Sequence, residues 1–145
     1  MSEVFGITVC SDSGKEMIQL DSVEVIAGKG IVEDRYFKKN KKISNITLIE
    51  KENIDVFNKN FNSSISYERF RRNIITQGVR LNSLVGKEIL IGSVKLKVHE
   101  LCEPCLKLQK LLGKNNFVKE MTHKSGIRCE ILSGGTITKG NKITY

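Results

Sequence analysis

The sequence contains no tryptophan, a single proline and only four cysteines in 145 residues. Aromatic residues make up 6% of it. Each scarcity excludes something. Proteins that hold single-stranded nucleic acid without sequence preference stack its bases on aromatic side chains, and this chain has few to offer. Four cysteines with no visible export signal do not make a disulfide framework. No apolar run is long enough to span a bilayer. The start, MSEVFGITVCSDSGKE, lacks the basic and apolar segments of a secretory signal. Cytoplasm is therefore the expected compartment. Repeats, low-complexity tracts and Pro/Gly/Ser linkers are missing too, so residues 1–145 read as one domain able to bury its own core.

Acidic residues are also in short supply. Sixteen Asp and Glu face 24 Lys and Arg, a formal charge of +8. That surplus suits anionic partners, although lysines alone often serve only as a solvated surface. The arginines say more. Four of the six (Arg69, Arg71, Arg72, Arg80) fall within twelve residues. A guanidinium grips phosphate with a planar fork of donors, so the cluster points to a defined anion site.

Hydrophobic alternation predicts strands in VFGITVC, MIQLDSVEVIAG, RRNIITQGV and the tail GIRCEILSGGTITKGNKITY. GKGIVEDRYFKKNKK reads as a glycine-punctuated loop ending in a basic run. ITLIEKENIDVFNKNF reads as a strand passing into a short helix, with Ile54, Phe57 and Phe61 on one face. In EILIGSVKLKVHEL, two alternating runs flank Gly92-Ser93, the pair suited to a type II′ hairpin. Val94, Leu96 and Val98 should face one side, and Lys95, Lys97 and His99 the other. Many short strands with two or three short helices predict a mainly β domain, an antiparallel β-barrel.

LCEPCLKLQKLLG carries the sharpest chemistry. Pro104 suits the first position of a helix, with Glu103 near the cap, Cys105 in the first turn and Gly113 as the stop. A thiol at a helix start meets unpaired N–H groups that favour the thiolate, so Cys105 is placed to act as nucleophile or soft-metal ligand. Cys102 lacks that help and reads as packing. A thioredoxin-type dithiol would need a second proline, which the chain does not have. His99, Cys102, Cys105 and His123 together offer a weak alternative, a zinc site.

In order along the chain, these segments resemble the MOSC domain, the module named after the C-terminal part of molybdenum-cofactor sulfurases. Gly30 to Arg35 is similar to G-I-x-G-D-R, with Glu33 at a glycine position. R-F-R-R-N-I (Arg69 to Ile74) resembles the arginine-asparagine strand of molybdenum-dependent amidoxime reductases. LNSLVGKEILIG, the P-C of ELCEPC, HKSG (His123 to Gly126) and SGGTITKGNKI follow, the last with Asn141 where an acid is usual.

The resemblance implies a barrel of the pyruvate-kinase type and the molybdenum cofactor (molybdopterin) as ligand, with no pyridoxal-phosphate domain in this chain. Cys105 would be the catalytic residue, ligating molybdenum or carrying a persulfide. Arg71, Arg72, Asn73, Asp34, Arg35, His123 and Lys124 would bind the cofactor. Two roles are implied: sulfur transfer or cofactor carriage, and reduction of N-hydroxylated compounds. Either needs a separate protein to donate sulfur or electrons. The short length leans the expectation toward a carrier. The competing expectations are a basic nucleic-acid-binding barrel, ranked well below, and a zinc-stabilised interaction domain; no membrane partner is expected. Duller readings stand beside these: a surface ion pair for Asp34 and Arg35, a turn cap for Asn73, an ordinary imidazole for His123.

Overall fold

In the computed structural model, residues 1–12, 15–39 and 42–145 are described, Lys42 by its backbone alone. The end of the predicted basic run, Asn40 and Lys41, lies outside them. The first half of the chain forms β1 (Glu3–Val9), β2 (Ile18–Leu20), β3 (Ser22–Ile26), β4 (Gly30–Ile31), β5 (Ile46–Glu50), α1 (Lys51–Asn60) and β6 (Ile74–Gln77). The second half adds β7 (Glu88–Ile91), β8 (Val94–Leu101), α2 (Leu106–Leu112), α3 (Phe117–Met121), β9 (Ile127–Ser133), β10 (Gly135–Thr138) and β11 (Ile143–Thr144). No helix among the described residues is long and apolar enough to cross a membrane.

Eight strands pair in the order β11-β7-β8-β9-β5-β6-β1-β2, and β10-β3-β4 form a smaller sheet. The local signals hold well. Ile91 pairs with Val94 across Gly92-Ser93. Gly92 takes φ +58 while Ser93 stays out of the left-handed region, as a type II′ turn requires. Val94, Leu96 and Val98 are fully buried, and Lys95 and Lys97 face outward.

The expected all-antiparallel barrel is corrected. β5 and β6 pair in parallel, so the large sheet is mixed, and no closed barrel forms among the described residues. The cause is α1. A helix between two neighbouring strands carries the chain back to its starting end, which makes the second strand parallel to the first. Both strands are consequently covered on two faces. Ile46, Leu48 and Ile74 enter the main core with Leu96, Val98, Ile127 and Ile131. Ile49 and Ile75 point the other way, into a second core with Ile54, Phe57, Phe70, Leu108, Phe117 and Met121. Phe57 meets the Phe117 ring edge-on at 5.5 Å. Burying one such ring contributes about 2–3 kcal/mol. This second core seats α1, α2 and α3 on the sheet and so fixes where α2 begins.

Candidate functional site

The start of α2 differs from the sequence expectation by two residues. Cys105, not Glu103, is the N-cap, with extended backbone (φ −124°, ψ 156°), and its Sγ accepts a hydrogen bond from Leu108 N at 3.4 Å. Pro104 stands just outside the helix, where its fixed φ still sets the entry of the chain. Gly113 ends the helix at φ +67, as expected. Cys105 is exposed, whereas Cys10, Cys102 and Cys129 are buried. Burial is also the main reason the Cys129 thiol is pushed far up in pKa, with Cys102 adding to it.

Cys105 opens onto a cavity of about 460 Å³, lined also by Arg35, Arg71, Arg72, Arg128 and Asn73. Among the described residues, Glu103 is its lone carboxylate. A second cavity of about 160 Å³ shares Cys105, Arg35, Arg71 and Arg72 and adds Lys107 and Leu111. A third, of about 420 Å³, adjoins through Arg71, Leu108 and Leu111 and brings in Arg69 and Glu68. Distant elements thus meet at one thiol: the loop after β4, the start of β6, the segment after β8, and β9.

Each arginine is held differently. The Arg35 side chain is only 11% exposed. Its Nη1 lies 3.4 Å from the Met17 sulfur and 3.8 Å from Asp34 Oδ1, and its guanidinium covers the Tyr36 ring at 4.4 Å. Arg71 sits in the left-handed region at φ +61, an uncommon conformation for a residue with a side chain. Its Nη1 donates to Lys15 O at 2.8 Å. Arg72 turns inward to backbone carbonyls, donating from Nε to Ser125 O at 2.9 Å and from Nη2 to Glu103 O at 3.2 Å and Cys102 O at 3.4 Å. Arg128 donates to the Cys102 thiol, the leading reason its guanidinium is held even more firmly protonated than usual.

The remaining predicted residues take other places. Asn73 is buried; its Oδ1 accepts from Thr47 N (3.1 Å) and Thr47 Oγ1 (3.2 Å), and its Nδ2 donates to Thr8 O (3.3 Å). It fastens β5, β6 and β1 together at the cavity wall. Asp34 is buried and accepts from the backbone N–H of Cys10 and of Tyr36, which shapes the loop that carries Arg35. His123 stays outside the cavity lining. Glu103 grips it twice, with Oε1 2.7 Å from its backbone N and Oε2 2.6 Å from Nδ1. Lys124 lines a separate small cavity beside α1 with Asn53, Phe61 and Glu120. Arg128, Tyr36 and Thr47 escaped the sequence reading, and only the pairing of β9 with β5 and β8 brings Arg128 to the thiol.

The two competing expectations find little here. His99 pairs with Glu130 at 2.9 Å, and among the described residues no three His, Cys, Asp or Glu side chains gather as a metal site. Tyr36, exposed on the cavity, carries the Arg35 guanidinium over its ring. Of the two aromatics beside the arginine cluster in sequence, Phe70 is buried and Tyr67 packs edge-on against Phe5 with its hydroxyl on Asp55. Neither is presented for base stacking.

The model of the MOSC domain family matches residues 38–144. The chain belongs to the MOSC domain family. The match takes in Arg71, Arg72, Asn73 and Cys105, while Asp34 and Arg35 precede it. Solved structures with this fold include the YuaD protein from Bacillus subtilis, at 19% identity and a TM-score of 0.83 over 100% of this chain and 97% of that one. YiiM from Geobacillus stearothermophilus follows at 16% and 0.80, over 99% of this chain and 74% of that one. YiiM from Escherichia coli reaches 18% and 0.72, over 99% and 67%. No curated protein matches the sequence. Membership of the MOSC family supports a function related to the molybdenum cofactor.

Proposed function

We propose that the chain binds the molybdenum cofactor in the arginine-lined cleft, with Cys105 as the thiolate ligand of the metal or as the bearer of sulfur destined for it. The observation that carries this reading is a single exposed thiol on a cavity with four guanidiniums and one carboxylate. The donor set fits the group. A soft thiolate suits molybdenum bound by sulfur, and guanidiniums suit the cofactor's phosphate. A volume of about 460 Å³ falls in the range of cofactor and small-ligand sites. When bound, the cofactor would supply a redox-active, sulfur-binding metal.

The chain's own residues divide the remaining work. Arg35, Arg71 and Arg128 would hold the anionic end, Arg35 with its guanidinium already desolvated and fixed by Tyr36 and Met17. Arg72, spent on the carbonyls of Cys102 and Glu103, would orient the Cys105 segment. Asn73 would keep the cleft wall in register. His123 would act through Glu103, steadying the same segment from outside. In this reading, sulfur or electrons come from another protein in the cytoplasm.

Elemental and pterin analysis of protein purified without oxygen from a cofactor-producing host tests the reading. Stoichiometric molybdenum and pterin are expected, with the metal lost and the pterin kept in Cys105→Ser. A persulfide confined to Cys105 without molybdenum would leave sulfur transfer as the role. Zinc in place of both would overturn the proposal.

A further inference from the structure

Cys105 faces more positive charge than a thiol needs for metal ligation alone. Arg35, Arg71 and Arg72 line both cavities that Cys105 opens onto, Lys107 is added on one side and Arg128 on the other. Among the described residues, the only carboxylate on either wall, Glu103, is committed to His123. The thiol is exposed, and its sulfur already accepts the Leu108 N–H. Cys102, although on the same cavity, is buried, takes the Arg128 donor and is joined to Cys105 by a stretch without any turn. It is poorly placed to resolve a sulfur adduct as a disulfide, which leaves such an adduct exposed to acceptors.

From this arrangement we infer a further activity: Cys105 takes sulfane sulfur from a small sulfur oxyanion of the thiosulfate or thiosulfonate class. The inference deepens the functional reading above, because it rests on Cys105 as the working thiol of that site. In the step, the thiol first gives its proton to solvent. Cys105 Sγ then attacks the outer sulfur of the donor. The new Sγ–S bond forms as the donor's S–S bond breaks, and that bond's electron pair leaves on the oxidised sulfur, as sulfite from thiosulfate or as a sulfinate from a thiosulfonate. For thiosulfate the charge balances: a thiolate and a dianion give a persulfide anion and a dianion. Formally, the cysteine sulfur is oxidised and the sulfonate sulfur reduced, so no outside oxidant or reductant enters.

The cation-lined walls serve this step twice. They bring an anionic donor to an anionic nucleophile, an encounter that bulk water disfavours. They also receive the charge that gathers on the departing sulfite, the role that fixed donors play in electrostatic catalysis. Arg71 is the natural centre of that work. It lines all three adjoining cavities, and its left-handed backbone is a strained arrangement of the sort found where position matters more than local comfort.

The test uses metal-free full-length protein with sodium thiosulfate, and reads sulfite release together with one added sulfur atom on Cys105 by mass spectrometry. Cyanide, converted to thiocyanate, serves as acceptor for turnover. Saturable loading is expected, absent in Cys105→Ser and unchanged in His99→Gln, which lies off the cavity. Arg71→Gly should raise the thiosulfate KM about tenfold or more, the usual loss when a charged hydrogen bond goes, while its fold is kept because glycine accepts the left-handed φ. Loading no faster than in urea-unfolded chain would overturn the inference. So would an Arg71→Gly variant with an unchanged KM, or a faster reaction with an uncharged persulfide donor than with thiosulfate. A protein that binds molybdenum but takes no sulfur from thiosulfate removes this inference alone. One that loads sulfur and binds no molybdenum removes the cofactor reading alone.

Discussion

Arg71, Arg72 and Asn73 are consecutive, yet they have three different duties. Arg71 projects into the cavities, Arg72 ties down the segment bearing Cys105, and Asn73 fastens three strands. The sequence made the cluster visible as an anion site but not this division. The division depends on a backbone angle at Arg71 and on acceptors such as Ser125 O, 53 residues further along the chain. Asn73 gives the clearest consequence. Asn73→Ala removes three hydrogen bonds, one buried and two part-buried, and strands the N–H of Thr47. An unsatisfied buried donor costs about 1–3 kcal/mol, so a loss of about 2–4 kcal/mol is expected in urea unfolding. A loss below about 0.5 kcal/mol, typical of an indifferent surface position, would show that the side chain does not hold these strands.

Between elements, the junctions decide what local pattern cannot. The β7–β8 hairpin was legible because its turn and its alternation lie within a few neighbouring residues. The cap of α2 was read two residues early, since proline suits the position before a cap as well as the one after it, and a thiol is an unusual cap. The parallel β5–β6 pair was hidden because strand pairing is decided by the path of α1, not by the strands' own residues. At that junction Glu50 ends β5 and caps α1, and its carboxylate accepts from Leu81 N at 3.1 Å. Burial is the main force raising its pKa, Glu52 adds to it, and Leu81 N–H and Arg80 oppose it. A carboxyl that holds its proton more tightly when folded favours the folded state at low pH. That contribution is lost as pH rises through the folded pKa. Glu50→Gln keeps an acceptor oxygen for Leu81 and has no charge to bury. Its stability relative to the parent should be near parity at about pH 4, around the ordinary glutamate pKa, and should rise toward pH 7. Urea unfolding at both pH values reads the difference, and a gap that does not widen with pH would contradict the assignment.

Across the whole molecule, the two ends of the chain hold the large sheet in its curled form. β11 pairs with β7 at one end of the strand order, while Glu3 on β1, near the other end, bridges to Lys142. Backbone bonds run from Val4 N to Asn141 O at 2.9 Å, from Ile143 N to Ser2 O at 2.9 Å and from Gly92 N to Lys142 O at 2.9 Å. A chain ending at Gly140 loses all three, together with the buried Ile143 side chain. Burial of an isoleucine contributes about 2–3 kcal/mol and each backbone bond about 1 kcal/mol, so destabilisation of at least about 3 kcal/mol is expected. The truncation also bares the hydrogen-bonding edge of β7, a template for pairing with another chain. None of residues 141–145 lines the cavities at Cys105, so the thiol should stay as reactive as before until the shortened chain unfolds. Urea unfolding with light scattering checks this, with a lower midpoint and concentration-dependent association as the expected pair. A truncated chain that stays monomeric and as stable as the parent would show that the ends merely lie together and that the curl is set by the strands' own twist.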